Sequence, residues 1–550
     1  MDSNGYIEMI RKILVENSDK LAFSDYQGKN YTFRKVAKQI YYLHVIFDDI
    51  GIQKGDKIAL IGRNMSSWSI SYLAIITYGA VVVPILPDFM SNDIHNIINH
   101  SDAVLLMSTQ LMYDKIDEHE LRHLKGIISL NDFKQVLYDP LRKIKKAMAK
   151  ADMVLKRQPI PFDVNVLKFP EIGPDEVMVL SYTSGTSGFS KGVLIPHRSL
   201  WSNVQFACDS FELYNGDRIV SFLPLAHTYG CLFEFLWPFI LGCHITFLLR
   251  TPTPQVISEA FQNVKPHIIL CVPLIIEKIF KRKIMPQLES STLKALLKLP
   301  VANTFIYSKI KSSLTKAFGN EFREIVIGGA ALNKDVESFL KKIKFKFTVG
   351  YGMTETGPLI SYSNWKKTRL QSAGQVVHRM EVRIDSSDPE NIAGEIQTKG
   401  DNVMLGYYKN DDATRDVFTD DGWLKTGDLG VKDNENFVYI RGRSKNLILG
   451  PSGQNIYPEE IEAVLSANEF VQECLVREKD GKIEALVYPD YEKCQDMKFT
   501  NKDIEEKLQA VRAAVNSDLP PYSQISKMIL FPEEFEKTPK KSIKRYKYLK

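Results

Sequence analysis

The sequence predicts an α/β protein: a large N-terminal body of several subdomains built on parallel-rich sheets, followed by a small α+β C-terminal domain. Three observations carry this expectation. At 550 residues the chain exceeds what one hydrophobic core serves, so two or more domains are expected. Short β-branched runs closed by Gly or Pro alternate with helical stretches along most of the chain, the texture of buried, largely parallel strands. After about Asp428 that texture gives way to hairpins and short helices, which places the domains at 1–440 and 441–550.

In chain order, "DKIALIG" and "GAVVVPILP" read as strands with the helical "WSISYLAIITY" between them. "AVLLMS", "HITFLLR", "HIILCVP" and "REIVIGGA" repeat the pattern. "CLFEFLWPFILGCHITFLL" is the most apolar stretch, but Glu234, Pro238 and His244 interrupt it, so a buried helix followed by a strand is expected and not a membrane span. Near the C-terminus, "NFVYIRGR" and "NLILG" read as short strands flanking a turn. Pro458 opens a helix, "ECLVRE" and "KIEALVYP" form a hairpin through "KDG", and Asn501 opens a second helix. Residues 141–157 form a basic amphipathic helix, a candidate peripheral membrane contact, and 281–320 is a second Lys-rich helical addition.

Composition excludes several classes. The balance of 71 basic against 66 acidic residues is a net +5, too mild for a nucleic-acid-binding protein. The six cysteines show no C-x-x-C or metal-ligand spacing and read as reduced thiols. The N-terminus has early acids and no apolar h-region, so no signal peptide is expected and the location reads as cytoplasmic.

Three stretches carry chemistry. In "YTSGTSGFSKG" (182–192) a strand runs into a loop of glycines and hydroxyls ending at Lys191, suited to cradling an anion. It is not a Walker A loop, because Ser190 and Gly192 stand where that pattern needs Gly and Ser or Thr. In "VGYGMTETGPLI" (349–360) a Gly-bracketed tyrosine, Tyr351, precedes Thr354 and Glu355, a hydroxyl and a carboxylate suited to phosphate and Mg²⁺. "GWLKTGDLG" (422–430) offers Asp428 to a ribose diol.

In this order the motifs resemble the adenylate-forming (AMP-binding) superfamily of acyl-CoA synthetases, luciferases and peptide-synthetase adenylation domains. The resemblance covers roughly residues 10 to 550 and is closest to the long-chain fatty acyl-CoA synthetases, partly through "YSKIKSSLTKAFGNEFREIVIGGAAL" (307–332). It implies that Thr183, Ser184, Gly185, Thr186, Ser187, Gly188 and Lys191 orient the phosphates of ATP. Gly329, Ala330 and Ala331 would line the adenine, with Tyr351, beside Gly352, stacking on it. Thr354 would meet the α-phosphate and Glu355 would hold Mg²⁺. Asp428 and Arg443 would bind the ribose, and His227 of "LPLAHTYG" would close the acyl pocket. Lys445 would mark the hinge, and Gly450 and Gly453 of "GPSGQNIYPEEIE" would let coenzyme A pass.

The C-terminal "KTPKKSIKRYKYLK" holds seven Lys or Arg in fourteen residues. In relatives this tail carries a lysine that bridges the carboxylate and the α-phosphate. Laying "KTPKKSIKR" on that pattern matches Thr538, Pro539, Ile543, Lys544 and Arg545, and puts Ser542 at the lysine's position, with Lys541 adjacent. The catalytic positions implied are therefore Thr186, His227, Glu355 and the Lys541–Ser542 pair. Three readings stay open: a fatty acid–CoA ligase using ATP, Mg²⁺ and CoA; the same fold loading an acyl carrier protein; and a non-catalytic or half-reaction protein that binds acyl-adenylate.

Overall fold

The structure, a computed structural model, describes residues 5–183, 190–249, 253–280, 284–285, 300–450, 454–538 and 542–549. The alternation of the N-terminal half folds into an eight-stranded sheet. Strands Val177–Thr183, Val81–Ile85, Lys57–Ile61, Ala103–Ser108 and Ile127–Ser129 run parallel through its middle. Val81–Ile85, "VVVPI", is buried at every position, which is why it reads as a continuous apolar run. At one edge Val177–Thr183 turns back antiparallel into Lys191–Pro196, and Gly406–Tyr407 pairs outside that strand. The helix Ser66–Tyr78 is buried from Ser66 to Thr77 and stops at Gly79, whose φ of 85° suits a residue without Cβ.

Two further sheets complete the parallel-rich part. Arg218–Ser221, His244–Phe247 and Leu21–Asp25 run parallel, with Asn30–Thr32 antiparallel at the edge. Ile268–Cys271, Glu324–Ile327 and Phe347–Val349 are parallel throughout. The apolar 231–249 stretch becomes a π-helical turn, Cys231–Leu236, a short helix, Trp237–Leu241, and the strand His244–Phe247, as expected. Among the described residues no helix is long and apolar enough to cross a membrane, and none of the six cysteines forms a disulfide.

The structure departs from the expectations in four places. Strands Met380–Asp385, Gly394–Gly400, Leu424–Lys432 and Val438–Arg443 form a wholly antiparallel sheet. Val438–Arg443 therefore pairs back into this sheet, and Ile448–Leu449 pairs instead with Asn455–Ile456. The helix Asn501–Asp518 is capped one residue earlier than expected, by Thr500, in a reciprocal box with Asp503. The basic helix, Lys143–Lys156, buries Ile144, Ala147, Met148 and Ala151 in the core that also holds Val36, Leu43 and Phe47 of Phe33–Asp49. Those four apolar residues are thereby covered, while Met153 on the same helix is 55% exposed. Of the second addition, Pro300–Ala317 is helical, while 281–283 and 286–299 lie outside the described residues.

The C-terminal segment has its own core, with Ile456, Leu465, Val476, Val487, Leu508 and Met528 at its centre. The hairpin Val471–Lys479 and Lys482–Pro489 turns through Asp480 and Gly481, both at positive φ, as a tight hairpin requires. The tail folds back against this unit: Lys537 bridges Ile543, and the Thr538 amide donates to the Ser542 carbonyl at 2.8 Å. Its described cations all meet acids, Lys537 with Glu473 and Glu534, Lys544 and Lys547 with Glu536, and Arg545 with Glu462 at 2.6 Å. The Arg545–Glu462 pair is mostly buried, at 18% and 16% side-chain exposure. Arg545→Ala should therefore lower the stability of the C-terminal unit by about 3 kcal/mol, read as an earlier denaturant midpoint, because a carboxylate is left buried without its cation.

Candidate active site

The hairpin of Val177–Thr183 and Lys191–Pro196 closes at the pair Thr183↔Lys191. Residues 184–189 between them, including Ser184, Gly185, Thr186, Ser187 and Gly188, lie outside the described residues. The Lys191 ammonium stands 4.8 Å from the centre of the Tyr407 ring. Tyr407 reaches it because Gly406–Tyr407 pairs with Val193 and Leu194. The Tyr407 hydroxyl then donates to Glu355 Oε1 at 2.9 Å.

Glu355 lies in the single 3-10 turn Thr354–Thr356 and is 8% exposed, with Thr354 half-buried beside it. The turn follows Tyr351–Gly352, which pairs with Leu359–Tyr362. Any side chain at Gly352 would meet the Pro358 carbonyl oxygen at 1.9 Å, so this approach requires glycine.

Glu355 lies close enough to Asp428 for its charge to act on it. Asp428 is 5% exposed; Oδ2 accepts the Tyr351 hydroxyl at 2.7 Å and Oδ1 accepts Arg443 Nε at 2.8 Å. Asp428 and Arg443 are direct cross-strand partners, so the sheet register makes the pair. Burial pushes the Asp428 carboxyl above its ordinary range, while Arg443 and the Tyr351 hydroxyl pull it down. Expected as two separate ribose contacts, Asp428 and Arg443 are bound to each other, and Tyr351 fixes the carboxylate through its hydroxyl.

The remaining positions surround this chain. Gly329, Ala330 and Ala331 are exposed in the loop after Glu324–Ile327, and Gly329 has φ of 88°. Lys445 is exposed in the turn Ser444–Asn446. Gly450 is buried and its amide donates to the Gln454 carbonyl at 2.8 Å, while Gly453 and Lys541 lie outside the described residues. The helix Pro458–Ala467 points its acidic first turn at the site: Glu460 lies 3.6 Å from Arg441, and the Glu459 charge acts on Asp428. Ser542 is exposed on the tail hairpin; two residues on, Lys544 is raised by its hydrogen bond to Glu536 and also feels Asp93 of the large body.

His227 stands at the N-terminus of Thr228–Gly230 and lines a narrow cavity with Tyr72, Val179, Ser181, Leu225 and Leu232. The cavity has room for about one water molecule. Val179 and Ser181 belong to the strand that ends at Thr183, so the apolar slot and the polar chain share one strand.

Sequence reasoning missed Tyr407. Its only local signal is "GYY", an aromatic pair after a glycine, and nothing in that string reports the strand it pairs with. It also missed Asn64 and Glu234, discussed below.

The profile of the AMP-binding enzyme family matches residues 11–408, and that of the AMP-binding enzyme C-terminal domain matches 445–550. A long-chain-fatty-acid–CoA ligase of Bacillus subtilis (strain 168) is 28% identical over 485 residues, covering 83% of this chain and 80% of the relative. A 4-coumarate–CoA ligase 4 of Arabidopsis thaliana is 26% identical over 538 residues, covering 93% and 84%. Among solved structures, the anthranilate CoA ligase AuaEII in complex with anthranoyl-AMP shares the fold at a TM-score of 0.79 and 19% identity, over 99% of this chain and 96% of that one. The fold and these matches define the class as an AMP-forming acid–thiol ligase. The chain belongs to the AMP-binding enzyme family.

Tyr407→Phe should keep the ring under Lys191 and remove the donor to buried Glu355. The expected loss is about 1 kcal/mol of stability by denaturant titration. An unchanged midpoint would show that the Tyr407 hydroxyl does not hold that carboxylate.

Proposed function

We propose that this chain is an ATP-dependent fatty acid–CoA ligase acting through an acyl-adenylate, with a long-chain acid as substrate. The observation that carries the reading is the connected chain Lys191–Tyr407–Glu355–Asp428–Tyr351, with Arg443 on its far end, beside an apolar slot lined by His227. A similar protein adds to it: the Bacillus relative is named for long-chain fatty acids. We assign the nucleotide-binding body to 1–440 and the small, rotating domain to 441–550.

In the first half-reaction an oxygen of the acid attacks the α-phosphorus of ATP, forming a P–O bond as the bond to pyrophosphate breaks. Both partners are anions, so cations and oriented donors must offset repulsion in the transition state. Lys191, Thr183 and the 184–188 loop would hold the phosphates, and Thr354 the α-phosphate. Gly329, Ala330, Ala331 and Tyr351 would hold the adenine. The ribose diol would meet the Asp428–Arg443 pair, whose carboxylate is pre-aimed by Tyr351. In the second half-reaction the CoA sulfur attacks the acyl carbon and AMP leaves. Lys445 would turn the small domain between the two, and Gly450 and Gly453 would let CoA's arm approach.

Glu355 fits a Mg²⁺ ion shared with nucleotide phosphates, since Mg²⁺ takes one or two carboxylates and completes its shell from phosphate and water. It does not fit a resident protein-only metal, because among the described residues no three His, Cys, Asp or Glu converge. When bound, Mg²⁺ would offset phosphate charge. Glu355→Gln should abolish Mg²⁺-dependent acyl-AMP formation while the far-UV circular dichroism stays that of the parent. Undiminished acyl-AMP formation at low Mg²⁺ would overturn the assignment.

Ser542 stands where the resemblance puts the adenylating lysine, and the nearest described cations, Lys537, Lys544 and Arg545, are already paired with acids. Removing one such stabiliser costs on the order of 10²- to 10³-fold in rate. The chain should form acyl-AMP slowly, yet convert supplied acyl-AMP and CoA to acyl-CoA. Ser542→Lys should raise pyrophosphate release by roughly tenfold or more. Fast release by the parent, unchanged in Ser542→Lys and lost in Lys541→Ala, would instead make Lys541 the catalytic residue. Acid-dependent release that proceeds to thioester with a carrier protein and not with free CoA would favour the acyl-carrier reading.

A further inference from the structure

The segment that delivers His227 to the cavity is held by two buried polar side chains that the reaction itself does not call for. Asn64 follows the strand Lys57–Ile61 and is 7% exposed. It donates to Ser221 Oγ at 3.1 Å and to the Leu223 carbonyl at 2.7 Å, and its Oδ1 accepts the Leu225 amide at 3.2 Å. Glu234 is fully buried on the π-helical turn Cys231–Leu236, and its Oε2 accepts the amides of both Phe222 and Leu223 at 2.9 Å. Five hydrogen bonds from two side chains thus converge on residues 221–225, two positions before His227.

The placement is unusual for residues of purely structural use. A carboxyl is among the most expensive groups to bury, and Glu234 is 0% exposed. Burial pushes the Glu234 carboxyl well above its ordinary range, while the Leu223 and Phe222 amides and the Ser221 hydroxyl pull it down. The π-turn adds a residue to the helical turn, and such turns concentrate at functional sites. Here it lets one short stretch serve two sides: Cys231, Leu232 and Leu236 line the cavity, while Glu234 grips the segment that leads into it. The segment's own chain continues the hold, since the His227 amide donates to the Pro224 carbonyl at 3.0 Å and the His227 carbonyl accepts the Cys231 amide at 2.8 Å.

We propose that Asn64 and Glu234 are positioning residues that clamp the 221–225 segment and thereby set the place of Leu225, Ala226 and His227 in the wall of the acid-binding cavity. This rests on the acid-activating reading of that cavity. Neither residue touches the polar chain from Lys191 to Arg443, so the clamp acts on the acid and not on the nucleotide.

The test is steady-state kinetics of acid- and CoA-dependent AMP formation by the full chain, varying a fatty acid and ATP separately. Glu234→Leu, which removes the acceptor at similar volume, and Asn64→Ala should each raise KM for the acid by about tenfold, with KM for ATP within about twofold, as expected for a misplaced pocket wall. Glu234→Gln keeps an uncharged acceptor for Phe222 and Leu223 and should restore the parent KM. Should Glu234→Leu fail to fold, Asn64→Asp carries the same comparison, because it keeps the acceptor for Leu225 and loses both donated bonds. The clamp is overturned if the KM for acid does not move in these variants, if both KM values rise together, or if Glu234→Gln is as damaging as Glu234→Leu. Absence of acid-dependent AMP formation by the parent chain would overturn the functional reading itself, a separate outcome.

Discussion

The antiparallel pairing of Gly406–Tyr407 with Lys191–Pro196 decides where the rest of the site can stand. It is two residues long, yet it joins chain segments more than two hundred positions apart and brings an aromatic ring between a cation and a carboxylate. Gly406 makes it possible: at φ of 147°, its Cβ position would lie 2.7 Å from the Thr414 methyl, and any larger residue would push the strand away. With the ring in place, Lys191 rests over its face and Glu355 accepts from its edge, so neither charge is left to find its own position. A long lysine side chain held this way has less rotamer freedom left to lose to any further partner.

Much of this was legible in the sequence. Continuous apolar runs such as "VVVPI" and "IILC" report strands covered on both faces, and both are buried throughout. "KDG" reported a hairpin because only a few residue types accept the left-handed backbone that such a turn needs, and Asp480 and Gly481 adopt it. The loop ending in Lys191, the Gly-Tyr-Gly turn and Asp428 were found through local chemistry. What stayed hidden depends on pairing across distance. Tyr407 acquires its part from a strand register, Glu234 from a π-turn that sequence periodicity does not distinguish from an ordinary helix, and Asn64 from a neighbour 157 residues away. The amphipathic stripe of Lys143–Lys156 was read as a stripe, and Ile144, Ala147, Met148 and Ala151 of it pack into the core that Phe33–Asp49 shares.

The tail shows the same limit in its electrostatics. Counted along the sequence, it is a basic run; in the fold it is a hairpin whose described cations each sit against carboxylates of the C-terminal unit. Pairing at this range leaves little field beyond a Debye length of about 8 Å at physiological salt, which removes the long-range attraction a polyanion would need. The run of charge therefore serves to fold the tail back against the C-terminal unit.

Around Asp428 the balance of charge is delicate in another way. Its oxygens already accept from Tyr351 and Arg443, and the negative charges of Glu355 and Glu459 bear on it from two sides. Arg443 is 57% exposed and can move; Tyr351 is buried and cannot do so without opening the core it shares with Ile360 and Val382. A diol approaching this carboxylate would therefore displace or share the arginine and leave the tyrosine in place. Glu459 belongs to the first turn of the helix that follows Gly450–Gly453, so any rotation of the C-terminal unit changes the number of carboxylates facing Asp428. Removing one like charge eases the ionisation of the buried Asp428, and restoring it does the reverse. The ionisation of Asp428 and the position of the small unit are thus coupled through a pair of acids, with no contact between them required.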